Sequence, residues 1–212
     1  MTDVTMTARQ AARSVVAVLV LATLAGCQGG ADGAAPGLPA ASSSGVLTTS
    51  PVAGERLCGF VPRESAEDAL GSTAVAGKGA VRRASSGELS SAECLLAPAG
   101  LRDPSAIVHV EALRGTARDI FDRELRNPER NQLPASVGLG YSWTDPVGYR
   151  ATANGPVAET WLLHGNHLVQ VSVWSPPEGR DGERDATALA QQVVRTLDLR
   201  DTWTLAEKQP VR

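Results

Sequence analysis

Lysine is almost missing from this 212-residue chain: of its twenty basic residues, only Lys78 and Lys208 are not arginine. There is no basic block, and the formal net charge is −3. Both facts argue against a nucleic-acid partner and against a polybasic membrane-binding surface. The shortage of lysine, set beside an excess of Ala, Gly and Arg, reads as GC-rich coding rather than as function. Long apolar runs are missing too. A helix that spans the hydrocarbon core needs about 20 apolar residues, and the best stretch, Ser14 to Gly26, supplies thirteen. No Gly-x-Ser-x-Gly elbow occurs, and no Ser-x-x-Lys followed by Lys-Thr-Gly, so the two common acyl-enzyme arrangements have nothing to form from. No Gly-rich loop stands between a strand and a helix to cradle phosphate. Paired carboxylates such as Glu67-Asp68, or Glu183 with Asp185, fall at helix starts or in loops, where dipole and solvent account for them. The sequence therefore predicts no enzyme, no cofactor and no metal site.

The N-terminus carries more information. Arg9 and Arg13 precede the apolar stretch Val15 to Leu24, which runs into Leu24-Ala25-Gly26-Cys27. Charged region, apolar region and small residues make up a secretory signal. A cysteine directly after the small residues resembles the lipobox of bacterial lipoproteins. There the thiol is alkylated by a diacylglyceryl group, and the signal is cut just before it. The resemblance implies that residues 1–26 are removed and that Cys27 anchors the mature chain to the extracytoplasmic face of the cell membrane. The alternative is a plain secretory signal with an incidental cysteine. Asp3 is unusual in such a signal, and translation from Met6 would remove it.

Cleavage would leave 186 of the 212 residues, and the charge of −3 would become −4, because Arg9 and Arg13 leave with Asp3. Cysteine is scarce at three, an odd count for an exported chain. Lipidation of Cys27 leaves the even pair Cys58 and Cys94, and two such cysteines in one small exported domain most often form a disulfide. The alternative is two buried thiols. A metal site has less support, since neither cysteine has a CxxC partner or a nearby histidine.

From Gln28 to Ala53 the chain is nearly all Ala, Gly, Ser, Thr and Pro, with Asp32 its one charge. Such a segment cannot bury enough surface to order itself. Residues 27–54 thus read as a flexible tether, with an r.m.s. span of roughly 25–30 Å. All eight aromatic residues follow it, from Phe60 to Trp203. A single domain is expected over 55–200, with a loosely held tail over 201–212.

Within that domain Pro62 to Leu70 reads as a helix, with acidic residues near its start and Gly71 after its end. Val75 to Leu96 is ambiguous, because Gly77 and Gly79 act as breakers, although Ala92 to Leu96 is strand-like. Ala106 to Ala112 alternates, placing Val108 and Val110 opposite His109 and Glu111. Thr116 to Leu125 reads as a helix capped by Thr116. Ala158 to Leu163 and Leu168 to Trp174 are strands joined across a Gly165-Asn166 turn. That register pairs Leu162 with Val169, Thr160 with Val171 and Ala158 with Val173 on one face. Trp161, Leu163, Leu168 and Trp174 lie on the other. Arg184 to Leu197 closes the domain as an amphipathic helix.

Strands in the middle with helices at the flanks, and no βαβ alternation, predict an α+β fold with an antiparallel sheet. The pattern of Cys58-Gly59-Phe60, Cys94, Leu133-Pro134, Gly138-Leu139-Gly140, a Val-rich strand and a closing Ala-rich helix resembles small lipoproteins of actinobacteria. More distantly it is similar to the extracellular sensor domains of actinobacterial membrane kinases. Two features depart from the pattern: Cys94 is followed by Leu95-Leu96 rather than an aromatic, and the kinase domains' second cysteine pair is missing. The resemblance implies a ligand-binding or sensing module. Its alternatives are an accessory subunit docking onto an envelope protein complex, or an envelope hydrolase of unrecognised type.

Two sets of side chains remain as candidates. His164 and His167 face each other beside the turn with Cβ atoms about 5 Å apart, either as solvated turn residues or as two ligands that lack a third. Trp161 and Trp174, with Leu163 and Leu168, form the candidate binding face. They line a groove for a lipid, glycan or protein, or else they pack as core under the loop carrying Tyr141, Trp143 and Tyr149.

Overall fold

The computed structural model describes residues 47–146 and 155–199. The signal segment, Cys27, most of the tether, Tyr149, Trp203 and the 201–212 tail lie outside the described residues. In chain order the elements are β1 (Arg56–Leu57), β2 (Val61–Pro62), α1 (Arg63–Leu70), β3 (Val75–Arg83), β4 (Leu89–Pro98), β5 (Ala106–Ala112), α2 (Thr116–Glu124), β6 (Asn131–Gln132), β7 (Leu139–Asp145), β8 (Val157–His164), β9 (His167–Trp174) and α3 (Gly182–Thr196). Seven strands form one antiparallel sheet in the order β3-β4-β5-β9-β8-β7-β6, and β1 pairs with β2 separately. This is the expected α+β arrangement. Among the described residues no helix is long and apolar enough to cross a membrane.

The β8–β9 hairpin has the register read from the sequence, from His164 opposite His167 back to Ala158 opposite Val173. Gly165 takes φ 60° at the first central position, which only glycine accepts readily and which matches a II′ turn. Alternation then sorts the sheet into two faces. Val108, Val110, Val169, Val171, Val173 and Leu162 point to α3, where they meet Ala186, Leu189, Ala190 and Val193 in the main core. Thr160 lies wholly buried within this apolar face, and its hydroxyl is satisfied 2.9 Å from that of Thr187 on α3.

Four features of the local structure differ from the sequence reading. Gly77 and Gly79 do not break a strand; they sit inside β3, which pairs with the whole of β4. The reason is proximity. A Cβ on Gly77 would lie 2.8 Å from Leu57 Cβ and 3.1 Å from Cys58 Sγ, and one on Gly79 would meet the Glu93 carbonyl and come within 2.9 Å of Cys94 Cα. Gly77 lets the Cys58–Cys94 disulfide lie against β3, and Gly79 lets the backbones of β3 and β4 come close. The Tyr141–Trp143 segment is a strand, not a loop. Its alternation of Leu139, Tyr141 and Trp143 with Gly140, Ser142 and Thr144 is a period-two signal that short length and two glycines obscured. Helix α2 is capped by Gly115 rather than Thr116, since the Gly115 carbonyl already accepts from the amides of Arg118 and Asp119 at 2.9 and 3.2 Å. Finally, part of the presumed tether packs on the domain. Leu47 is buried in the main core, and Gln192 Nε2 donates to the Thr48 carbonyl at 2.6 Å.

Both sheet edges are guarded. The edge strand β3 carries exposed Lys78, Arg82 and Arg83, and the opposite edge, β6, has only two residues. Charged or very short edges discourage pairing with another chain.

Candidate functional site

On the sheet face away from α3, cross-strand pairing sets polar and aromatic side chains side by side. Trp161 stands opposite both Tyr141 and Gln170, and Glu159 stands opposite both Trp143 and Ser172. His109 is the next residue beyond Gln170 in the same row. The tryptophans of three different strands, Trp143, Trp161 and Trp174, thereby share one face. They border a half-open cleft of about 660 Å³, together with Arg130, Asn131, Glu159 and Gln170. That volume lies within the range usual for small-molecule sites, about 300–1,000 Å³.

The walls are held from behind. Tyr141 is wholly buried and touches three aromatic partners: Phe121 at 5.5 Å, Trp143 at 5.6 Å and Trp161 at 5.8 Å, the last nearly parallel. Phe121 comes from α2 and seals a second, smaller core with Leu113, Leu163 and Leu168. The Arg130 guanidinium lies 4.1 Å from the Trp143 ring centre and pairs with Glu124 at 3.0 Å, so a cation–π contact and an ion pair fix that indole. Burial pushes the Glu124 carboxyl up, but hydrogen bonds from Asn127, Arg130 and Arg123 outweigh this and hold it below the ordinary carboxylate range. Trp161 Nε1 donates to Glu159 Oε2 at 3.4 Å.

Glu183, in the first turn of α3, ties the rim together. It accepts from Asn131 Nδ2, Ser142 Oγ and Thr144 Oγ1 at 2.9, 2.7 and 2.8 Å, fastening β6 and β7 to the helix start. A carboxylate there also complements the positive helix end.

No protein family, curated protein or solved structure matches this chain.

The candidate face divides accordingly. Trp161 and Trp174 line the cleft, whereas Leu163 and Leu168 are buried beneath α2 and take no part in it. For Trp161 the two alternatives meet in one side chain, which stacks on Tyr141 and also walls the cleft. Trp174 is only 8% exposed, yet it belongs to neither core cluster. Tyr141 and Trp143 lie beside Trp161, as the packing alternative had it, although they do so from a strand rather than a loop. Arg130 was not expected at this face, and nothing local in the sequence marks it. His164 and His167 are not bare turn residues: their Nε2 atoms lie 2.8 Å from the Leu199 carbonyl and 3.1 Å from the Leu89 carbonyl. A carbonyl only accepts, so each Nε2 carries the proton. Among the described residues no group of three or more His, Cys, Asp or Glu side chains is placed to hold a metal ion.

One buried atom stands out. Burial, reinforced by the Glu124 carboxylate, pushes the Tyr141 phenol well above its ordinary range, and its hydroxyl has no hydrogen-bond partner among the described residues. An unmatched buried hydroxyl is destabilising by about 1–3 kcal/mol. Tyr141→Phe is therefore expected to raise stability by about 1 kcal/mol in urea denaturation. A loss of that size would mean that the hydroxyl makes a bond.

Proposed function

We propose that this chain is an extracytoplasmic lipoprotein, held to the cell membrane by a diacylglyceryl group on Cys27, whose folded domain binds or senses a ligand without transforming it. The observation that carries the binding part is the convergence of Trp143, Trp161 and Trp174 from three strands on one cleft. Aromatic walls with a few placed polar groups are the usual makeup of a small-molecule site. The anchoring part rests on the Leu24-Ala25-Gly26-Cys27 run. The Cys58–Cys94 disulfide supports the same reading, because such bonds persist in oxidising compartments and are rare in the cytosol.

Membrane fractionation with mass spectrometry of the N-terminus tests the anchor. Two acyl chains hold a protein stably where one does not. Wild-type protein should be found in membranes with an acylated Cys27 at its first position. Cys27→Ala should either be shed or persist as uncleaved precursor. An unacylated Cys27 in the wild type, or membrane retention of a processed Cys27→Ala protein, would count against the proposal.

A further inference from the structure

We infer that the ligand of the tryptophan cleft is a neutral saccharide, an inference that rests on the binding role proposed above. A pyranose ring presents a flat apolar C–H face and a rim of hydroxyls, each of which both donates and accepts. Its binder needs an indole for the face and planar polar groups beside it. The cleft offers that combination, since Trp161 has Gln170 directly across the strand pair and Glu159 within hydrogen-bonding distance of its Nε1. Gln170 both donates and accepts, Glu159 accepts and Arg130 donates, so hydroxyls of either orientation find a partner.

Other ligand classes fit less well. An acyl chain would strip water from Gln170, Glu159 and Arg130 and return no hydrogen bonds to them, which is unfavourable. An organic cation would want the open faces of an aromatic cage, but the face of Trp143 is taken by Arg130 and one face of Trp161 by Tyr141. For an anion, Arg130 is the single basic residue among the described lining residues, and it is already paired with Glu124. A protein partner would need an exposed apolar patch. The exposed large apolar side chains among the described residues, Leu101 and Leu139, lie outside the cleft.

The test is titration of the full chain, in detergent, with a panel of neutral tri- and tetrasaccharides of hexoses, pentoses and N-acetylhexosamines. Calorimetry and indole fluorescence give the readout, with tetramethylammonium and decanoate as counter-probes. We expect saturable binding of at least one saccharide with a fluorescence change. Gln170→Ala should weaken it by about tenfold, the equivalent of 1.4 kcal/mol. Leu139→Ala, away from the cleft, should leave affinity and melting temperature unchanged. Saccharide binding that Gln170→Ala does not affect would overturn the inference. Capture of tetramethylammonium or decanoate alone, with indole quenching, would overturn the saccharide while leaving the cleft as the binding site. If no probe binds and the indoles do not respond, both the inference and the binding role fall.

Discussion

Loss of the Cys58–Cys94 disulfide is expected to lower the stability of the domain by about 4 kcal/mol in the chain-entropy model, given the separation of 36 residues between the two cysteines. For a domain of this size that corresponds to a fall in melting temperature of roughly 8–16 °C. The bond does more than close a loop. Cys94 is fully buried on the α3 side of β4, and the disulfide ties the segment between β1 and β2 to the middle of β4, the strand next to the sheet edge. Gly77 leaves space for the disulfide's sulfurs, while Gly79 lets the β4 backbone at Glu93 and Cys94 approach closely. Thermal denaturation of oxidised and reduced protein, with Cys58→Ser/Cys94→Ser as the chemical control, measures the effect. An unchanged melting temperature on full reduction would show that the bridge adds nothing.

Breaking the Arg180–Asp185 pair should be comparably damaging. Asp185 is 2% exposed, and both its oxygens are held by Arg180, at 2.7 and 2.8 Å; the Leu47 amide also donates to it at 3.4 Å. Arg180→Ala strands a carboxylate in the core, which costs about 3–5 kcal/mol. Replacing both partners by leucine removes the stranded charge, so Arg180→Leu/Asp185→Leu should recover most of that loss. Urea denaturation of the single and double variants decides. A loss under about 1 kcal/mol for Arg180→Ala, or a double variant no better than the single, would mean that solvent reaches the pair freely.

The amino-acid pattern announced the parts of the fold whose signals are local. The β8–β9 hairpin was legible because its turn and its alternation agree, and a one-residue slip would expose every valine of β9. The same holds for β5 and for α3, where Ala186, Leu189, Ala190, Val193, Val194 and Leu197 recur at helical spacing and are all buried. The cysteine pair followed from an even count after one cysteine was set aside for lipid, a matter of arithmetic and compartment rather than of geometry.

Tertiary structure alone decided three things. Glycines within β3 look like breakers in one dimension, because what they make room for, a disulfide and a neighbouring backbone, comes from residues 57–58 and 93–94. Residues near the end of the expected tether join the domain, because Leu47 gains a core contact and Asp185 an amide, neither visible in an Ala/Gly/Ser-rich segment. The cleft itself is a product of strand order. Tyr141 and Trp143 reach Trp161 because β7 pairs with β8, and Arg130 reaches Trp143 through the short connection from α2 to β6. Composition could place tryptophans on a hairpin face, since side-chain direction in a strand follows from a period of two. Which strands lie beside that hairpin depends on long-range pairing, whose energy comes from contacts between segments far apart in the chain.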